Sequence, residues 1–250
     1  DKVMNTTGVE LEDSYETLWG YDETAKDCMK RNTKEGILEV HWTTGSGNWE
    51  TWMYGRPLDD WDYYFTWAKW ITPSRDIINA FDKEGDEVRK NQAIVYYACT
   101  WSNYYPASNY PFMYKLRSSY NNIYWVRLAD IILMKAEAEA YKGNLAESAK
   151  LVNQIRKRAK LKELTSDKTG SKESMIEAVL HERRLELAFE GERWFDLCRN
   201  NKVEKYLNGI DNRDSWRIRQ VKQFDSNSYL LPIPQTALDQ NTNLEQNPGY

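Results

Sequence analysis

The chain is short of the residues that most often carry chemistry. Its 250 residues include three cysteines, Cys28, Cys99 and Cys198, and two histidines, His41 and His181. Three scattered cysteines with no Cys-x-x-Cys pair exclude a disulfide framework and a structural zinc site, since either needs several thiols at close, repeated spacing. Two histidines are too few for a metal cluster, and His181, beside Glu182, reads as a surface or capping residue. Positive charge is not in excess: 34 Lys and Arg stand against 38 Asp and Glu, a formal charge of -4. That leaves no basic footprint for nucleic acid or an anionic membrane surface. No apolar run approaches the roughly 18 residues a membrane-spanning helix needs. Gly-x-Ser-x-Gly, a phosphate loop and Gly-x-Gly-x-x-Gly are all missing, so the common marks of a serine hydrolase and of nucleotide sites are absent.

Aromatic residues, by contrast, are abundant, with 11 Trp and 17 Tyr. Helical periodicity is concentrated between Tyr124 and Arg199. Ala129, Leu133, Ala136 and Ala140 recur at the spacing that lines one face of a helix, which Asn122 is placed to cap and Gly143 to end. Asn144 with Glu147 has the form of a capping box, opening a second helix whose stripe is Leu145, Ala149, Val152, Ile155 and Ala159. So short a connection forces the two helices antiparallel. After a polar loop from Leu164 to Lys172, Ser171 caps a third helix through Met175, Ile176, Val179, Leu180 and Leu187, with Gly191 placed to close it. Trp194, Phe195 and Leu197 begin a further short one. Alanines at 129, 136, 138, 140, 146, 149 and 159 permit close approach of helix axes, the pattern of stacked hairpins of tetratricopeptide type.

Upstream, the alternation of Glu35 to Trp42 predicts a half-buried strand, with Leu38, Val40 and Trp42 on one face. Residues 1–34 are polar, with a helix from about Asp13 anchored by Tyr15, Leu18, Trp19 and Met29. Thr72 and Pro73 mark a helix start, buried through Ile77, Ile78 and Phe81. Residues 43–70 have glycine and proline breakers, no period, and five tryptophans. Tyr96 to Tyr124 is a second aromatic, irregular stretch, and the tail from Ser228 is extended by Pro232 and Pro234. The expected fold is therefore all-α: antiparallel helical hairpins with long aromatic-rich loops and one or two short strands, in a single region.

Several segments, in order, are similar to the SusD/RagB family of outer-membrane nutrient-binding lipoproteins. They are Glu-Gly-Ile-Leu-Glu-Val-His-Trp from Glu35, Thr-Pro-Ser-Arg-Asp-Ile-Ile-Asn-Ala-Phe from Thr72, Arg-Leu-Ala-Asp-Ile-Ile-Leu-Met-Lys-Ala-Glu-Ala from Arg127, Asn-Gln-Ile-Arg-Lys-Arg-Ala from Asn153 and Glu-Arg-Arg-Leu-Glu-Leu-Ala-Phe-Glu-Gly-Glu-Arg-Trp-Phe-Asp-Leu from Glu182. Leu231-Pro-Ile-Pro and the final Gln-Asn-Pro-Gly-Tyr match the family's end. The resemblance covers about residues 35–250 and implies a C-terminal portion, the family's N-terminal half being absent. It implies non-catalytic, cell-surface capture of oligosaccharides for a SusC-like, TonB-dependent transporter in the outer membrane of a Gram-negative bacterium. The lipid anchor would lie N-terminal to this chain. Some members take peptides instead. No cofactor is implied.

The segment between the strand and the Thr-Pro helix contributes ligand contacts in that family. A sugar's C–H face packs on flat rings while its hydroxyls seek planar polar groups, so Trp49, Trp52, Tyr54 and Trp61, with Asn48 and Arg56, are the expected ligand-binding residues. The bland alternative is that these rings anchor a loop crossing a helical core, the role expected of Trp67 and Trp70. Asp59, Asp60 and Asp62 could at most hold a calcium ion, and no metal site is expected. Two readings of another class remain. An all-α glycoside hydrolase could use Glu182 and Glu186, one turn apart, but three arginines among Glu182, Arg183, Arg184, Glu186, Glu190, Glu192 and Arg193 favour i, i+3 and i, i+4 ion pairs over a general acid. A helical scaffold would bind protein alone.

Overall fold

The computed structural model describes residues 1–22, 27–28, 30–41, 72–98, 105–106, 108–115, 123–210 and 222–250. These form two compact units, residues 1–192 and 193–250. The first contains, in chain order, α1 (Tyr15–Trp19), β1 (Tyr21–Asp22), β2 (Asp27–Cys28), β3 (Gly36–Val40), α2 (Arg75–Glu84), α3 (Glu87–Ala93), β4 (Ile94–Tyr97), β5 (Tyr110–Met113), β6 (Ile123–Arg127), α4 (Leu128–Lys142), α5 (Leu145–Arg158), α6 (Ser166–Thr169) and α7 (Lys172–Glu186). The strands pair as three antiparallel ribbons, β1 with β2, β3 with β6 and β4 with β5.

The α4/α5 hairpin with α7 packed on it is the tetratricopeptide-like core. Leu128, Ala129, Ile132, Leu133, Ala136 and Ala140 meet Leu151, Val152 and Ile155 of α5 and Met175, Ile176, Val179 and Leu180 of α7. Ala129, Leu133, Ala136 and Ala140 are fully buried, as their spacing requires. Ser148 lies so close to α4 that its hydroxyl donates to the Ala136 carbonyl at 2.7 Å. Ala138 and Ala146 instead face outward. Gly143 closes α4 in the left-handed region (φ 88°), its amide reaching Ala140 O, a backbone that a Cβ would strain. Ser171 caps α7 in a box closed by Ser174.

Several boundaries differ from those expected. The segment expected to open the first long helix, after Asn122, is strand β6, and α4 begins at Leu128 without a side-chain cap. Ile123, Tyr124, Trp125 and Val126 are β-branched or aromatic residues that fit a pleat better than a helical turn, and β3 supplies the partner: Val40 pairs with Ile123 and Glu39 with Tyr124. Asn144 forms no capping box; its amide donates to Glu139 at 2.6 Å. The Thr-Pro helix is capped by Ser74, which accepts from the Ile77 amide at 3.2 Å, two residues later than Thr72. Residues 96–124 are not simply irregular, since Tyr96 and Tyr97 pair with Pro111 and Tyr110 and Tyr124 lies in β6. Strand β3 is where the alternation puts it, yet Ile37 and Leu38 stay 38% and 48% exposed, so neither face is a core face. α7 stops at Glu186 rather than running to Gly191, because the Glu186 carbonyl accepts from Tyr15, Lys115 and Arg127 side chains.

In the second unit α8 (Arg193–Arg199) is the expected short helix, followed by α9 (Val203–Leu207) and α10 (Gln235–Gln240). Asn208 clamps Phe224 by two hydrogen bonds of 2.8 Å, and Trp194 meets the Phe224 ring at 5.8 Å. The tail is not wholly extended, for α10 starts directly after Pro234. Gln246 bonds both backbone groups of Ile233, at 2.7 and 2.9 Å.

Candidate functional site

Asn48, Trp49, Trp52, Tyr54, Arg56 and Trp61 lie outside the described residues, as do Trp67, Trp70 and the Asp59, Asp60, Asp62 group. The frame at either end of their segment is described. On one side it leaves β3, held to β6 up to the Val40 and Ile123 pair. On the other, the Thr72 hydroxyl meets the Tyr110 hydroxyl at 2.7 Å and Tyr105 donates to the Pro73 carbonyl at 2.7 Å. The Arg75 guanidinium stacks 4.1 Å above the Tyr105 ring. Tyr105 meets Tyr110 edge to face at 5.6 Å between centroids, Tyr110 and Phe112 are tilted at 4.9 Å, and all three are buried. In the second aromatic stretch these rings are therefore packing that pins the start of α2.

One aromatic that the sequence reading passed over stands out. Trp125 is 65% exposed, although tryptophan usually buries most of its ring. The register explains it: Leu38 pairs with Val126 and Glu39 with Tyr124, leaving Trp125 as the extra residue of a bulge, and bulges re-aim side chains. Its position two residues from the Val40 and Ile123 pair puts it beside the point where the aromatic segment leaves the ribbon.

Beneath this frame lies a buried network of opposite charges. Glu182 and Glu186 are fully buried, as are Glu35, Asp86 and Arg89. Arg89 from α3 binds Asp86, Glu182 at 2.7 Å and Glu186 at 3.2 Å. Arg127, at the end of β6, reaches Glu35 at 2.8 Å, Glu186 at 2.6 Å and Glu190 at 2.7 Å. From the end of α5, Arg156 joins Glu182 (2.9 Å) to Glu84 (3.0 Å), and Arg158 joins Glu35 to Glu186. The acids are thus paired as the charge pattern implied, but with arginines from other elements rather than with neighbours on their own helix. Tertiary packing brings residues about 90 positions apart within bonding distance, which no local spacing encodes.

Burial alone would raise the Glu186 pKa, but Arg158, Arg127 and Arg89 outweigh it and hold the carboxyl well below its usual range. Glu190 is likewise pushed up by burial and brought down further by Arg127 and Lys115. Desolvation dominates at Lys115 and takes it down to about 8; its ammonium sits 4.5 Å from the Trp19 ring and 2.7 Å from Glu190. A general acid must keep its proton near neutral pH and touch substrate. Glu186 does neither, and Glu182 is sealed between two arginines. Among the described residues no group of three or more His, Cys, Asp or Glu is arranged to hold a metal ion, and no helix is long and apolar enough to cross a membrane.

These features define a helical-repeat protein of tetratricopeptide type with strand ribbons and a buried ion-pair network. The chain belongs to the SusD family, whose profile matches residues 109–250, more than half of it. SusD-like protein P38 of Formosa agariphila is 36% identical over 135 residues, covering 52% of this chain and 25% of the relative. A SusD homolog from Bacteroides thetaiotaomicron superposes with a TM-score of 0.70 at 19% identity, over 99% of this chain and 57% of that one. Surface glycan-binding protein A from the same organism, solved in complex with laminarihexaose, gives 0.64 at 18% identity, over 98% and 57%. The chain thus spans little more than half the length of these structures, and the two low identities speak to fold alone.

Proposed function

We propose that this chain is part of a non-catalytic cell-surface protein that captures oligosaccharides and passes them to a SusC-like, TonB-dependent outer-membrane transporter. A lipid anchor N-terminal to these residues holds it at the surface of a Gram-negative cell. The observation that carries the reading is family membership, joined to a protein of the same fold that holds laminarihexaose. Trp49, Trp52, Tyr54 and Trp61 supply the stacking rings, Asn48 and Arg56 the polar contacts, and Trp125 a further exposed ring. The hydrolase alternative is disfavoured by Glu182 and Glu186, the pair it would need, because both are buried and bound to arginines.

The test separates ligand contact from packing. Trp49→Ala, Trp52→Ala and Trp61→Ala are each measured by thermal melting and by titration with laminarihexaose. A ring that faces the ligand leaves the melt nearly unchanged and costs about 1–3 kcal/mol of binding, or roughly 5- to 150-fold in affinity. A ring that pins the segment costs about 3–5 kcal/mol of stability instead. If all three variants melt early and still bind normally, the aromatic segment is packing and the site assignment fails.

A further inference from the structure

Resting on the glycan-capture reading, we infer that a cleft lined by four lysines at the C-terminal ends of α2 and α5 binds the acidic substituents, carboxylate or sulfate ester, of a charged glycan. The cleft has a volume of about 470 Å³ and runs between Lys83 at the end of α2, residues 160–165 after α5, Lys168 of α6 and His181 of α7. That volume accommodates one or two sugar rings, within the range of small-molecule sites.

Its charge arises from how the fold divides one basic run. In Arg156-Lys157-Arg158-Ala159-Lys160-Leu161-Lys162 the two arginines turn inward to buried glutamates, while Lys160 and Lys162 are exposed and line the cleft. The division follows the side chains: the guanidinium fork suits buried, many-partnered pairing, whereas an ammonium is a hydrated point charge suited to an exposed anion site. Lys160 takes a left-handed backbone (φ 58°) just past α5, where glycine is usual. Lys83 and Lys168, from α2 and α6, are also exposed and line the cleft.

Carboxylates in the lining do not cancel this charge. Glu84 is engaged at both oxygens, by His181 at 3.1 Å and Arg156 at 3.0 Å, which leaves Glu163 as the one remaining acid among the lining residues. None of Lys83, Lys160, Lys162 and Lys168 has an ion-pair partner within 4 Å among the described residues; beyond that distance Lys160 acts on Glu16 and Lys168 on Asp167. The chain as a whole carries a formal charge of -4, so net charge would repel a polyanion and attraction must come from this local group. Among polyanions a glycan is favoured over an acidic protein segment because, of the lining residues, Leu161, Leu164 and Ala178 alone offer an apolar side chain to anchor a peptide.

The experiment titrates the full chain with polygalacturonate, dextran sulfate, unsubstituted dextran and laminarihexaose. It is run at about 50 mM and about 500 mM salt, where the Debye length falls severalfold. Lys160→Gln/Lys162→Gln removes two cleft charges, and Lys142→Gln/Lys150→Gln removes two exposed charges elsewhere, at side chains 65% and 78% accessible. Expected are binding of one or both acidic polymers, a loss of about tenfold in the cleft variant at low salt that shrinks at high salt, and no change in the control pair. The acidic polymer that binds assigns carboxylate or sulfate. Equal losses in the two double variants, or none in the cleft variant, would overturn the inference. So would poly-L-glutamate competing as well as the acidic glycans, which would assign the cleft to acidic protein segments. Laminarihexaose binding without either acidic polymer sinks the cleft and leaves the capture reading standing. Acidic polymers bound through Lys160 and Lys162 without laminarihexaose support the cleft and sink the aromatic site.

Discussion

Replacing Glu186 by glutamine tests the buried network at its centre. The Glu186 Oε1 atom accepts from Arg127 at 2.6 Å and also from Arg158, while Oε2 accepts from Arg89 at 3.2 Å. All four side chains are nearly inaccessible, at 0%, 1%, 4% and 0% for Glu186, Arg127, Arg158 and Arg89. Glutamine has the same shape but presents an NH₂ on one side, so at least one guanidinium faces a donor and the cluster gains one uncompensated positive charge. Removing one partner from a buried ion pair costs about 3–5 kcal/mol, because the remaining charge cannot return to water. For a chain of this size each kcal/mol moves the melting temperature by about 2–4 °C, so the melt should fall by roughly 6–20 °C. Circular dichroism melts give the shift, and a cycle with Arg158→Met should show the two changes coupled by about 0.5–3 kcal/mol. Removing Lys142 from its pair with Glu139, 3.4 Å apart with the lysine 65% accessible, should leave the melt nearly unchanged. A Glu186→Gln melt within about 2 °C of wild type would refute the claim that this cluster holds the frame together.

Two further outcomes are expected. Leu133→Asp places a carboxylate in a fully buried position between Leu, Ile and Ala side chains of the hairpin; it should cost several kcal/mol against a typical total of about 5–15, and a soluble, fully helical variant would show the α4 face to be wrongly assigned. Acid should destabilise the fold in a defined window. His181 and Arg156 take Glu84 down to about 2 against burial, and Glu186 and Glu190 are also depressed. Groups depressed in the folded state contribute stability above their unfolded pKa, near 4.5, and lose it as pH falls toward the folded values. The melting temperature should therefore hold above about pH 5 and decline below about 4.5, and a flat profile down to pH 2.5 would contradict the pairing.

The sequence by itself determined the helical core and its turns. Local rules set these: an apolar face at helical spacing is buried wherever a partner exists, and a glycine such as Gly143 takes the φ > 0 of a helix C-terminus without strain. The same locality placed Ser171 as a cap and β3 as a strand, and the order of family segments was legible because it is written in contiguous residues. What only the tertiary structure decided are matters of partnership. Residues 123–127 became a strand because β3 lies alongside to take their hydrogen bonds, and α7 ends at Glu186 because three side chains from elsewhere claim its carbonyl. Trp125 is exposed because the register slips opposite it. Glu182 and Glu186 read as members of i, i+3 and i, i+4 ion pairs in one dimension and proved to be the centre of a buried network, since Arg89 and Arg127 approach them only when α3 and β6 are folded against the helix. Charge identity is local, whereas the choice of partner, and whether water is excluded from it, belongs to the fold.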